Sequence, residues 1–304
     1  MSQSVSFKSK QNKLAANLFV PKDFDENKQY AAITVAHPGG GVKEQTAGMY
    51  AEKLSEAGYV TVVYDASHQG ESEGEPKYLE DPYARTEDVR ASVDFLTTLD
   101  FVDNDRIAAL GVCAGGGYTV AAAQTDRRIK SLATVSMVDI GSLFREGIDR
   151  VVPVEDQLGF LKQISDQRTA EANGGEVGMG GYVPEELDDS MPENSTMYQG
   201  HDYYLTDRGC HKNAPNKMVL RSFTEIGSFA PYAYIDPLLT QPFLTIAGSD
   251  ADTRYFSVET VENAAGDNNE FFEIKGASHV DLYDKEEYVS QVLPKLESFF
   301  SENV

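Results

Sequence analysis

The chain has 304 residues, 41% of them hydrophobic, and its 49 acidic against 26 basic side chains give a formal charge of −23. So acidic a chain excludes nucleic acid and anionic membrane as partners, since both need a basic face. Its two cysteines, Cys113 and Cys210, and the lack of any Cys-x-x-Cys pair argue against a disulfide framework and a structural zinc site.

The first ten residues carry no apolar signal core, and no apolar run approaches the roughly 20 residues of a membrane span. A cytoplasmic protein without metal or cofactor is expected. Length suits one large α/β domain with an insertion, or two domains.

In chain order, residues 4–20 alternate weakly up to Pro21 and predict an opening hairpin at a sheet edge. Residues 30–36 form a strand running into His37-Pro38-Gly39-Gly40-Gly41. A helical stripe follows (Ala47, Tyr50, Ala51, Leu54, Ala57) and stops at Gly58. Residues 59–65 read as a continuous apolar strand, as in a parallel sheet covered on both faces. A polar loop at 66–76 follows, with Asp65 at the strand's end and His68 both read as structural, and then a helix with Val89, Val93, Leu96 and Leu99 on one face.

Residues 106–124 then pass from an apolar strand through Gly111-Val112-Cys113-Ala114-Gly115 into an alanine-rich helix. A side chain perched on so sharp a turn needs neighbours without a Cβ where the backbone folds on itself, and Gly111 and Gly115 supply the room. Cys113 would face the N–H groups of a helix start, which favour thiolate, and the Ala114 N–H could point at a developing oxyanion. The competing reading is a small buried cysteine in a packing segment.

Another strand spans 128–136, so the order β-α-β-α-β-α-β implies a parallel sheet with right-handed crossovers. The alternation breaks near residue 140. From 140 to 236 the chain offers one amphipathic helix (Leu158, Leu161, Ile164), a glycine patch at 174–181 read as flexible loop, and Tyr203-Tyr204. This is taken as a cap inserted into a core of 1–139 and 237–304, with Phe144, Tyr203 and Tyr204 setting an apolar acyl pocket. The pattern resumes with strands at 241–248 and 271–276, a helix around 256–265 between them, and a last helix that Pro294 should kink.

A nucleophilic cysteine needs a base, and the base an orienting acid. His279 follows the predicted last strand, on the same sheet edge as Cys113. Asp250 and Asp252 both follow the preceding strand; Asp252 is preferred because the usual acid lies slightly beyond the strand's end, although either could cap the next turn. Gly39, with Gly40 as the nearest alternative, is the candidate second oxyanion donor beside Ala114. His37 is read as organising its loop. His201, His211 and Cys210 lack metal-ligand spacing.

The segments Gly-Val-Cys-Ala-Gly-Gly-Gly-Tyr, His-Pro-Gly-Gly-Gly-Val-Lys-Glu-Gln, Asp-Ala-Ser-His-Gln-Gly-Glu-Ser and Gly-Ala-Ser-His-Val-Asp-Leu-Tyr-Asp resemble the α/β-hydrolase superfamily. More narrowly they are similar to its YcjY-like and dienelactone-hydrolase-like branches, which also include fungal polyketide transferases. The resemblance implies the α/β-hydrolase fold and a Cys113–Asp252–His279 triad. It also implies a glutamate that helps control the cysteine, for which Glu44 is the candidate. The function expected is hydrolysis of small esters, lactones or thioesters through an acyl-enzyme, with a small-molecule acyl substrate as partner and a homodimer left open. Acyl transfer in secondary metabolism and non-catalytic binding on the same fold are the competing readings.

Overall fold

The apolar runs of the sequence become one eight-stranded sheet in a computed structural model that describes residues 2–304. The opening hairpin is β1 (Ser2–Ser9) and β2 (Asn12–Phe19), followed by β3 (Tyr30–Ala36), α1 (Thr46–Glu56), β4 (Val60–Tyr64) and α2 (Pro82–Leu96). Then come β5 (Val102–Val112), α3 (Ala114–Ala123) and β6 (Ile129–Val135). The strand order is β1-β2-β4-β3-β5-β6, completed on the far side by two strands from the end of the chain. The hairpin pairs antiparallel at the edge, and every pair beyond β4 is parallel.

Side-chain alternation splits the core into two layers, as a sheet covered on both faces requires. Along β5, Ile107 and Ala109 pack with Val89 and Val93 of α2 and Tyr118 of α3. Ala108 and Leu110 face the opposite way, toward Tyr50 and Leu54 of α1. Asp81 accepts the Tyr83 and Ala84 N–H groups at the start of α2, and Pro82 supplies a fixed first helical residue.

The insertion between β6 and the next sheet strand holds α4 (Ile140–Glu146), α5 (Val154–Ala172), β7 (Met179–Gly180), α6 (Thr196–Leu205), β8 (Met218–Val219), α7 (Ser222–Ser228) and α8 (Ile235–Leu238). The glycine patch is not loop throughout, because Met179 and Gly180 pair antiparallel with Val219 and Met218. The amphipathic reading of α5 overstates its burial: Ile164 is its one buried residue, and Leu158 is 62% exposed.

The sheet resumes with β9 (Phe243–Gly248), α9 (Arg254–Asn263) and β10 (Asn269–Ile274), and the chain ends in α10 (Asp281–Asp284) and α11 (Glu286–Asn303). β9 lies against β6 and β10 is the far edge. α11 runs as one helix through Pro294, with Val292, Leu296 and Phe300 fully buried against the sheet. No helix among the described residues is long and apolar enough to cross a membrane.

Candidate active site

At the end of β5 the backbone of Cys113 has φ +55° and ψ −124°, a conformation that L-residues rarely adopt and that costs about 1–3 kcal/mol. Three hydrogen bonds hold it there. Its N–H donates to the Val135 carbonyl at 3.0 Å, and its own carbonyl accepts from Gly116 at 2.9 Å and Val138 at 3.0 Å. A Cβ on Gly115 would lie 2.4 Å from the Ala36 carbonyl oxygen, and one on Gly111 2.5 Å from that of Gly115. The turn therefore tolerates no side chain at either place.

The thiol is half-buried at the start of α3. Burial pushes its pKa up, but the neighbouring His279, the Tyr283 hydroxyl and the Ala114 backbone N–H outweigh burial and hold it below the ordinary thiol range. His279 is fully buried on the loop after β10. That loop is bolted down by Ser136, whose hydroxyl donates to the His279 carbonyl at 2.8 Å, and by Ser278, whose N–H donates to Asp281 at 2.9 Å.

The partners of the imidazole depart from expectation. Nδ1 lies 2.5 Å from the hydroxyl of Thr253, and Nε2 lies 3.2 Å from that of Tyr283. Asp252 is turned to the insertion, where it accepts from the Thr196 N–H at 2.9 Å and from the Thr196 hydroxyl. Asp250 is exposed and accepts from Ser249. The structure thus brings Cys113, His279, Ala114 and Gly39 to one cavity, while neither aspartate is hydrogen-bonded to the ring. Asp252 instead anchors the first residue of α6, where a carboxylate suits the unpaired N–H groups of a helix start.

His37 organises its loop as a neutral base. The Ala66 N–H donates to Nε2 at 3.1 Å, so Nδ1 carries the proton and donates to the Pro38 carbonyl at 2.7 Å. Burial, aided by the nearby Arg85 charge, holds its pKa well below the usual histidine value. Behind it lies a buried ion pair that was not anticipated: Arg85 donates to the His37 carbonyl at 2.6 Å and to Glu80 at 3.1 Å. Glu80 also accepts from Tyr118 at 2.5 Å and from Tyr182 of the insertion at 2.7 Å. The Tyr182 ring closes over the glycine loop, so that a Cβ on Gly40 (φ +69°) would meet it at 2.4 Å.

The cavity over the thiol has a volume of about 100 Å³. Besides Gly39, Cys113, Ala114 and His279, its walls include Val138, Ile140, Leu143, Met197 and Tyr204. Among the described residues no lysine, arginine or carboxylate lines it. Tyr204 is in place as expected, but Phe144 stacks on Phe223 at 4.8 Å and Tyr203 uses its hydroxyl to accept from the Thr46 N–H. Glu44 pairs with the Lys43 ammonium at 2.7 Å, beside buried Asp65, which accepts from the same group at 2.8 Å. A roomier hollow of about 330 Å³, walled by Asp139, Arg150, Tyr232 and Glu259, lies apart from Cys113 and His279.

A strained turn between a central parallel strand and its helix, with a histidine loop after the last strand, defines the α/β-hydrolase fold. The chain matches the family model X-Pro dipeptidyl-peptidase (S15 family) over residues 11–177 and belongs to that family. Over its whole length it is similar to the uncharacterized protein YcjY of Escherichia coli (strain K12), at 44% identity with all of both chains covered. It is also 36% identical to the uncharacterized protein PA2218 of Pseudomonas aeruginosa, over 96% of this chain and 77% of that one. The crystal structure of PA2218 superposes with a TM-score of 0.93, covering 100% of this chain and 94% of the other. The Alpha/beta hydrolase GrgF of Penicillium sp. sh18 shares the fold, with a TM-score of 0.80 at 19% identity, covering 100% of this chain and 99% of that one.

Proposed function

We propose that the protein is an acyl-transferring hydrolase that uses Cys113 as nucleophile on small, uncharged esters, lactones or thioesters. The observation that carries this reading is a thiol on a strained elbow that shares an apolar cavity with a buried imidazole, whose proximity holds the thiol below its ordinary pKa. His279, its Nδ1 held by the Thr253 hydroxyl, offers Nε2 for the thiol proton. The sulfur attacks the carbonyl, and the N–H groups of Ala114 and Gly39 receive the oxyanion. His279 returns the proton to the leaving group, and water cleaves the thioester. Thr253 orients the ring at the place where a triad carboxylate was expected, and Asp252, its neighbour in sequence, holds the insertion through Thr196. The residues between β6 and β9 act as the cap.

The cavity bounds the substrate. Its volume is below the roughly 150 Å³ that accommodates benzene in an engineered apolar cavity, so the acyl group is compact. With no cation in the walls, an acyl chain bearing a carboxylate would be left unpaired. The same argument weighs against release of X-Pro dipeptides, whose free ammonium would sit near the scissile bond with no carboxylate to meet it. Transfer to an alcohol or amine is the second reading, because walls this apolar disfavour water as the acceptor. Chromogenic short-chain esters, with and without added alcohols and amines, test both. Cleavage lost on Cys113→Ala supports the thiol, and a new ester or amide product identifies transfer.

A further inference from the structure

Tyr283 lies four residues beyond His279, on the one-turn helix α10, and only 2% of it is exposed. Its position is fixed from two sides. The ring meets that of Tyr203 edge to face at 5.2 Å, and the neighbouring Leu282 carbonyl accepts from Tyr50 of α1 at 2.6 Å. The hydroxyl is aimed into the catalytic cavity, where it sits 3.2 Å from His279 Nε2 and also interacts with the Cys113 thiol. Nε2 is the nitrogen that must take the thiol proton; the thiol also reaches the ring directly, so the hydroxyl offers a second route between them.

We propose that Tyr283 is a further catalytic residue, relaying the proton between Cys113 and His279. In the resting form the S–H donates to the tyrosine oxygen and the tyrosine O–H donates to Nε2. On activation the S–H bond breaks as a proton passes to the tyrosine oxygen, while the tyrosine's own proton passes to Nε2. Thiolate and imidazolium result and the tyrosine is regenerated, so no other reactant is consumed. The hydroxyl then donates to the sulfur and accepts from the imidazolium, which stabilises both charges at once. Burial and the adjacent thiolate keep the phenol protonated, so it remains a donor throughout. The other tyrosine facing the thiol is Tyr204 of α6, whose buried hydroxyl also interacts with that of Tyr283 and whose ring packs on Tyr203 at 5.0 Å.

The relay rests on Cys113 as nucleophile, but its test needs no substrate. In a background in which exposed Cys210 is serine, the rate of iodoacetamide adduct formation on Cys113 is followed by intact mass across pH 5–10. Tyr283→Phe, which deletes only the hydroxyl, is expected to raise the half-point of that profile by about one pH unit, since a hydrogen bond to a charged group is lost. It should also lower kcat on an activated ester about tenfold or more with little change in KM. Tyr203→Phe alters the same aromatic cluster without touching the thiol, and should leave the profile in place. An unmoved half-point in Tyr283→Phe, or an equal shift in both variants, overturns the relay. A shift in Tyr283→Phe alone supports the relay even if no ester is cleaved, in which case only the acyl-transfer reading fails. Turnover with an unmoved half-point refutes the relay and leaves acyl transfer standing.

Discussion

Glu80→Gln should be among the most destabilising conservative changes in the molecule. The carboxylate is fully buried and accepts from Arg85 at 3.1 Å, Tyr118 at 2.5 Å and Tyr182 at 2.7 Å, while Arg85 is itself 3% exposed. Removing the charge leaves a buried guanidinium uncompensated, which costs about 3–5 kcal/mol, whereas an exposed pair would be worth under about 1 kcal/mol. Arg85 keeps two favourable contacts, the His37 carbonyl and the Tyr118 ring at 4.7 Å, so a value in the middle of the range is expected. Because Arg85 holds the residue that opens the glycine loop, activity should fall as well. The ceiling is the roughly hundred- to thousandfold loss seen when one oxyanion donor is removed. Urea unfolding of Glu80→Gln, Arg85→Met and the double variant measures this directly. The double change should cost less than the sum of the singles by more than about 1 kcal/mol. Additive costs, or a Glu80→Gln loss below about 1 kcal/mol, would refute the reasoning.

Thr253→Val, which removes the group on His279 Nδ1, should lower kcat more than Asp252→Asn, and Asp252→Asn more than Asp250→Asn. A larger loss for Asp252→Asn than for Thr253→Val would return a carboxylate to the ring during turnover. Buried, neutral His37 has its folded pKa below its unfolded value near 6.5. The unfolded chain therefore binds the extra proton, and stability present above about pH 6.5 should be lost as pH falls below it. Chemical denaturation between pH 7.5 and 5 should show that slope, and His37→Gln should flatten it. Met197→Ala enlarges the cavity wall, so chain-length profiles on nitrophenyl esters should move toward longer acyl groups, chiefly through KM.

The architecture was legible because hydrophobic period and glycine placement act locally. The runs at 30–36, 59–65 and 106–112 could only be buried strands, and the room that Gly111 and Gly115 give at the elbow follows from sterics alone. What the sequence did not disclose depends on long-range contact. Thr253 is adjacent to the favoured aspartate, yet whether the aspartate or the threonine reaches the ring is set by Thr196, 56 residues earlier in the chain. Tyr283 follows His279 by four residues, but nothing marked the four residues of α10 as the helix that turns it back onto the ring. The spacing of Arg85, Asp88 and Ser92 on the inner face of α2 was a legible sign of buried polar contacts, though not of their tie to His37. Phe144 and Tyr203 were misplaced because aromatic composition says nothing about which wall of an insertion faces the thiol.

The most direct test of the account is intact-mass analysis after rapid acid quench of the protein mixed with short-chain nitrophenyl esters and lactones. The account predicts an acyl adduct confined to the peptide carrying Cys113, decaying in water and absent from Cys113→Ala. Undiminished turnover by Cys113→Ala, or an adduct on any other residue, would contradict it.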